Sequence, residues 1–234
     1  MNRLPRRSFP VTLAGATVAA TAAVAHAQRG GPPGGGREGR SPGDVELEKG
    51  PLAADEFEKN ALAVIADVAA NQAFRNVPEH DGRLLRIFAR CCEAQHVVEL
   101  GTSTGLSGIW IGLALKQTGG RLTTYEIDPG RAAIARANFE RAGMKDLVTL
   151  VEGDAHEELP KLEGRIDMAF LDADKEGYVD YLKTLLPHLR PGGTILAHNI
   201  NPRMADPAFM TAITTDPNLE TVVRGGMSVT LKKS

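Results

Sequence analysis

The run Phe170-Leu171-Asp172-Ala173-Asp174-Lys175 ends an apolar stretch with two carboxylates and an amine. At the end of a buried strand, that trio suits a divalent cation with a general base beside it. A lysine acts as a base only where burial or a nearby cation lowers its pKa. The same trio also fits a solvated strand end closed by a salt bridge. A second apolar run ends in Leu196-Ala197-His198-Asn199, which adds an imidazole and an amide as further candidate ligands beside Asp172. In Val97-Val98-Glu99-Leu100-Gly101-Thr102-Ser103-Thr104-Gly105-Leu106-Ser107, a short strand gives way to a glycine-broken turn. Backbone there can approach a ligand closely, with a helix N-terminus behind it. In Thr124-Tyr125-Glu126-Ile127-Asp128-Pro129, Glu126 stands where a carboxylate can accept both hydroxyls of a ribose. Asp128 reads better as an acid favouring a helix dipole. Glu152-Gly153-Asp154-Ala155 is a further strand-to-loop turn that could border an adenine, although Gly-Asp is also ordinary turn chemistry.

The Gly101 turn is neither Gly-x-Gly-x-x-Gly nor a loop ending in Gly-Lys-Ser/Thr, which weakens dinucleotide and P-loop readings.

These groups need a frame, and apolar periodicity supplies one. Helices are expected over Leu52–Gln72, Gly82–Cys92, Gly105–Lys116, Pro129–Ala142, Ala155–Leu159, Gly177–Leu189 and near Pro207–Thr215. Strands are expected over His96–Leu100, Leu122–Glu126, Val148–Val151, Ile166–Leu171 and Thr194–Ala197. Pro129 fits a first helical turn and Gly143 a helix end. Pro191-Gly192-Gly193 reads as the stop of the Gly177 helix. Two last strands, near Thr221–Val223 and Ser228–Leu231, flank a Gly225-Gly226 turn. The alternation predicts an α/β, Rossmann-like doubly wound sheet of about seven strands, mostly parallel, with an antiparallel edge pair and helices on both faces.

The chain has 234 residues and is 42% hydrophobic, enough for one sizeable core. Residues 1–27 hold three arginines, no acid, an apolar run from Val11 to Ala25 and a closing Ala25-His26-Ala27. Arg6-Arg7-Ser8-Phe9 just before that run resembles a twin-arginine (Tat) export signal, and the run is short for a membrane span. The expectation is an exported, periplasmic protein with no stable membrane anchor after cleavage. Residues 28–50 are Gly/Pro-rich and predict a flexible linker, leaving one domain over 51–234. Without residues 1–27 the balance is 24 basic against 29 acidic residues, which argues against a nucleic-acid partner. Cys91 and Cys92 are neighbours and do not make a disulfide scaffold.

Taken together, the Glu99–Ser107 segment, Glu126-Ile127-Asp128-Pro129, Val148-Thr149-Leu150-Val151-Glu152-Gly153-Asp154-Ala155 and Asp172-Ala173-Asp174-Lys175…Tyr178 resemble the cation-dependent O-methyltransferases, such as catechol and caffeoyl-CoA O-methyltransferases. The resemblance spans about four fifths of the chain. It implies S-adenosylmethionine as cofactor, with Glu99, Gly101, Thr102 and Ser107 at its methionine part and Glu126 at its ribose. Ala155 and Asp174 match positions near the adenosine and sulfonium, and Val77 matches a lid position that is usually threonine. It implies Lys175 as the base, and Asp172, His198 and Asn199 as ligands of a divalent cation that holds two adjacent oxygens of a small hydroxylated acceptor. It also implies a homodimer. The chain departs from the pattern at His198, where the family has aspartate, and at Arg203, where it has a substrate-contacting asparagine. Imidazole suits Mn, Zn or Fe better than Mg. Export and His198 together leave an alternative: a non-methylating metal-dependent or ligand-binding protein on the same fold.

Overall fold

The computed structural model describes residues 49–72 and 74–234. The expected export signal and nearly all of the expected linker lie outside them.

Alternation along the strands sets the two faces of the sheet. In β1 (His96–Leu100), Val97 points into one apolar cluster, while Val98 and Leu100 point into the other. In β4 (Ile166–Leu171), Met168 and Phe170 share a cluster with Val97, and Ala169 and Leu171 share one with Val98. Both strands are buried throughout, as expected of central parallel strands covered on both sides. The remaining strands are β2 (Arg121–Glu126), β3 (Val148–Glu152), β5 (Leu189–Ala197), β6 (Leu219–Arg224) and β7 (Met227–Lys232). Their order is β3-β2-β1-β4-β5-β7-β6. All pairs are parallel except β5–β7 and β6–β7, so the antiparallel edge expected around Gly225-Gly226 is present.

Four helices cover one face: α1 (Glu56–Asn71), α2 (Glu79–Cys91), α3 (Leu106–Thr118) and α4 (Pro129–Arg141). Helix α3 is buried without a break from Leu106 to Leu115, the mark of a helix packed on all sides. Its approach to α2 depends on Gly82, where a Cβ would meet the Trp110 indole at 2.1 Å. The other face is covered by α5 (Ala155–Glu158), α6 (Tyr178–Leu185) and α7 (Pro207–Thr215).

Four boundaries differ from the sequence expectation by three residues or more. Helix α1 starts at Glu56 rather than Leu52, because Asp55 caps it by accepting from the Glu58 N–H at 2.7 Å. Helix α2 starts at Glu79 rather than Gly82, which brings Asp81 onto its first turn. Helix α6 ends at Leu185, and β5 begins at Leu189 instead of Thr194. Pro191-Gly192-Gly193 lies inside that strand. The β4–β5 register jumps there, from Ile166 opposite Leu189 to Met168 opposite Thr194. Proline has no N–H for the ladder and Gly192 has φ +73°, so the tripeptide makes a bulge rather than a helix stop.

The strand order reverses between β1 and β4. A crevice opens at such a switch point, beyond the carboxyl ends of the strands. The segments after β1, β2, β3, β4 and β5 all reach this rim.

Candidate active site

The turn after β1 is held by its backbone. Gly101 (φ +94°), Ser103 (φ +50°) and Gly105 (φ +83°) are all left-handed. The N–H groups of Gly101 and Thr102 both donate to the Tyr125 carbonyl at 3.1 Å. The Ser103 N–H donates to Glu126 Oε2 at 2.8 Å. Glu126 Oε1 is crowded: it accepts from the Asp128 N–H (2.9 Å) and from Arg131 Nε (3.0 Å) and Nη2 (2.7 Å). Arg131 thus clamps Glu126, and Oε2 keeps acceptor capacity toward the cavity.

A cavity of about 780 Å³ lies over this turn. Gly101, Ser103, Ser107, Glu126, Ala155, Asp172 and Asp174 are on its wall. Behind the wall, Glu99 is fully buried. Its Oε2 accepts from the Thr124 hydroxyl at 2.6 Å, while Oε1 has no partner. The Ser103 hydroxyl is likewise buried and unpartnered. Unmet polar atoms below a glycine-lined concavity fit a cofactor that carries both ammonium and hydroxyl donors.

The acid–amine cluster lies where β1, β4 and β5 end. The Asp172 N–H donates to the Leu100 carbonyl at 2.9 Å, which ties the two loops together. Lys175 Nζ donates to Asp172 Oδ1 (3.2 Å) and to the Tyr178 hydroxyl (2.6 Å), and that hydroxyl donates in turn to the Leu171 carbonyl (2.8 Å). Burial lowers the Lys175 pKa; the negative charges of Asp172 and Asp174 oppose that fall and Arg75 adds to it. Asp174 is engaged elsewhere, accepting from the Tyr181 hydroxyl at 2.6 Å and the Gly177 N–H at 2.9 Å, with His156 Nε2 at 3.3 Å.

His198, at the end of β5, stands between two carboxylates. Its Nε2 lies 3.0 Å from Asp81 Oδ2 and its Nδ1 lies 3.3 Å from Asp172 Oδ2. The second contact is close enough for an ion pair, yet Nδ1 makes no hydrogen bond. Burial alone would lower the pKa of this imidazole, but Asp172 and Asp81 outweigh it and raise the value to about 9. Asn199 follows with a left-handed backbone, φ +59°. Among the described residues no three His, Cys, Asp or Glu side chains are arranged to surround a metal. Once its proton is displaced, Nδ1 would join the Asp172 carboxylate and the Asn199 amide in a mixed nitrogen–oxygen donor set compatible with a divalent transition ion.

A methyltransferase domain model matches residues 98–200. Over 150 residues, 62% of this chain and 67% of the other, the sequence is 38% identical to a catechol O-methyltransferase of Niastella koreensis. It is 37% identical to a catechol O-methyltransferase of Mycobacterium tuberculosis over 60% of this chain and 64% of that one, so it spans about two thirds of these relatives. The chain belongs to the O-methyltransferase family. A solved O-methyltransferase of Bacillus cereus in complex with SAH superposes with a TM-score of 0.64 at 28% identity, covering 78% of this chain and 93% of that one.

In this O-methyltransferase, six of the sequence-predicted site residues, Gly101, Ser107, Glu126, Ala155, Asp172 and Asp174, share one cavity wall. Glu99 and Thr102 lie behind it; the Thr102 hydroxyl meets that of Thr124 at 2.6 Å rather than the cavity. Lys175 and His198 contact Asp172 without lining the cavity, and Asn199 follows His198 after the end of β5. Val77, matched to a lid position, is instead 5% exposed within the apolar core, where an aliphatic side chain is at home. Sequence reasoning missed Arg131 and Asp81. Arg131 was within reach, five residues after Glu126 in the first turn of α4. Asp81 was not, because its partner is 117 residues away.

Burial raises the Glu99 pKa to about 7, with the Ser107 and Thr124 hydroxyls offsetting part of the rise. The sign of the stability effect follows. A carboxyl with a raised folded-state pKa binds more protons folded than unfolded, so stability falls as pH rises from about 4.5 to 7. The size is about 3 kcal/mol from the pKa difference. Thermal melts of the cofactor-free protein should show this fall, and Glu99→Gln should remove it. An unchanged pH slope in Glu99→Gln would assign the effect to another group.

Proposed function

We propose that this O-methyltransferase moves the methyl group of S-adenosylmethionine to a hydroxyl oxygen of a small acceptor bearing two adjacent oxygens, assisted by a divalent cation. The observation that carries the reading is one cavity wall that holds both Glu126 and Asp172: Glu126 Oε2 and the buried Glu99 behind it have unmet acceptor capacity, and Asp172 is hydrogen-bonded to Lys175, which in turn meets Tyr178. The SAH bound in the Bacillus cereus relative supports the cofactor, and the two catechol O-methyltransferase relatives support the acceptor class.

The chain's own groups divide the work. Glu126 Oε2 receives a ribose hydroxyl, while Arg131 holds the carboxylate in place. Glu99 and Ser103 meet the polar part of the methionine moiety. At the other end, Lys175 Nζ takes the acceptor's hydroxyl proton. Because the Tyr178 proton is committed to the Leu171 carbonyl, Tyr178 accepts from Nζ, which leaves the amine lone pair free. Asp172, His198 and Asn199 would hold the cation, which lowers the acceptor's hydroxyl pKa and steadies the oxygen charge. Rate then comes mainly from holding the acceptor oxygen in line with the methyl group and excluding water.

Titration calorimetry of the full chain with S-adenosylmethionine, with and without Mn²⁺, tests the reading. Micromolar-range binding is expected, weakened at least tenfold in Glu126→Ala. No heat of binding under either condition would refute it.

A further inference from the structure

We infer that Asp81 is the positioning residue that makes His198 a metal ligand and turns the cation preference from magnesium toward a nitrogen-accepting transition ion. The inference rests on the methyltransferase reading only for the role of the cation, not for its binding.

Asp81 sits on the first turn of α2 and is 2% exposed. A carboxylate so buried needs a charged or hydrogen-bonded partner. Its short contact is His198 Nε2 at 3.0 Å; His80, whose side chain is 38% exposed, lies farther off at 3.5 Å from the other oxygen. A hydrogen bond from Nε2–H to Asp81 fixes the ring orientation and aims Nδ1 at Asp172. That nitrogen is buried, has no hydrogen bond, and lies 3.3 Å from Asp172 Oδ2. Nδ1 and that oxygen lie close enough to share one positive charge, a ring proton in the metal-free protein or a cation that displaces it. A carboxylate bound to the far nitrogen of an imidazole is the usual way a protein orients a histidine ligand and raises its basicity. With aspartate at this place the donor set would be all oxygen and suit magnesium. With an Asp81-oriented imidazole it suits a transition ion.

The test titrates the full chain with Co²⁺, Zn²⁺ and Mg²⁺ singly by calorimetry, and follows Co²⁺ by its visible absorption. Wild type, Asp81→Asn, His198→Ala and His198→Asp are compared, with melting and SAH binding measured in each. Wild type should bind Co²⁺ at least tenfold more tightly than Mg²⁺. Asp81→Asn should weaken Co²⁺ binding about 10–100-fold while SAH binding holds, and His198→Asp should move the preference back toward Mg²⁺. Pulsed EPR of Cu²⁺-loaded wild type, which needs no fold-sensitive variant at Asp81, should show modulation from a remote imidazole nitrogen that His198→Ala abolishes. Co²⁺ affinity unchanged in Asp81→Asn, no Co²⁺ uptake by wild type, or nitrogen modulation surviving in His198→Ala would each overturn the inference. Expected metal behaviour without SAH binding in any form would instead refute the methyltransferase reading alone.

Discussion

Lys175→Met should lower kcat by roughly 10²–10⁴-fold, the usual contribution of a positioned proton acceptor, while the dissociation constant for S-adenosylmethionine changes by less than about threefold. Methionine keeps the length and the apolar stem of lysine but cannot accept a proton. The cofactor wall is made of other residues, so binding at that end is spared. Stability should fall only modestly, because Asp172 loses one partner and keeps its neighbour His198. The pH profile is the sharper readout. Burial holds the Lys175 pKa below its ordinary value, so in wild type the rate should climb with pH as Nζ loses its proton, on a limb set below the usual lysine range. That limb should vanish in Lys175→Met. A variant that keeps both rate and limb would remove Lys175 as the base and leave it a structural partner of Asp172 and Tyr178.

Gly101→Ala should abolish detectable cofactor binding, a loss of at least 100-fold. Two independent obstacles act there. The backbone is left-handed, φ +94°, where a Cβ is strained by about 1–2 kcal/mol. The added carbon would also meet the Asp172 carbonyl oxygen at 2.5 Å and its carbon at 2.8 Å. That obstacle is backbone and cannot rotate aside, so the β1 turn must part from the β4 turn. The Asp172 N–H to Leu100 bond and the paired N–H contacts on the Tyr125 carbonyl would be strained together. Gly119→Ala separates the two causes. It is also left-handed, φ +73°, but faces open space and lies at the far end of α3. It should cost about 1–2 kcal/mol in a melt and leave calorimetric binding intact. Equal cofactor affinity in Gly101→Ala and wild type would mean that the turn does not cradle the ligand.

Much of this was legible in the chain because it is local. Strands β1 and β4 were bounded correctly by their apolar runs, and Pro129 and Gly143 marked the ends of α4 by backbone chemistry alone. The rim groups were legible too, since a residue at the end of a parallel strand must emerge at that rim. Pro191-Gly192-Gly193 misled because helix stops and strand bulges use the same residues, and only the pairing of β5 with β4 tells them apart. Val77 misled because a motif match gives a position along the chain but not the direction in which a side chain points.

By itself, then, the sequence determined the α/β alternation, the site-bearing strand ends and the family, since hydrophobic periodicity and turn chemistry act over a few residues. Only the tertiary structure decided what those ends meet. It saturated Glu126 Oε1 with Arg131, left Glu99 Oε1 and His198 Nδ1 without partners, and brought Asp81 to His198 across 117 residues. The Asp81–His198 pairing depends on how α2 packs against α3 through Gly82 and Trp110, a contact between separate helices that no local pattern encodes.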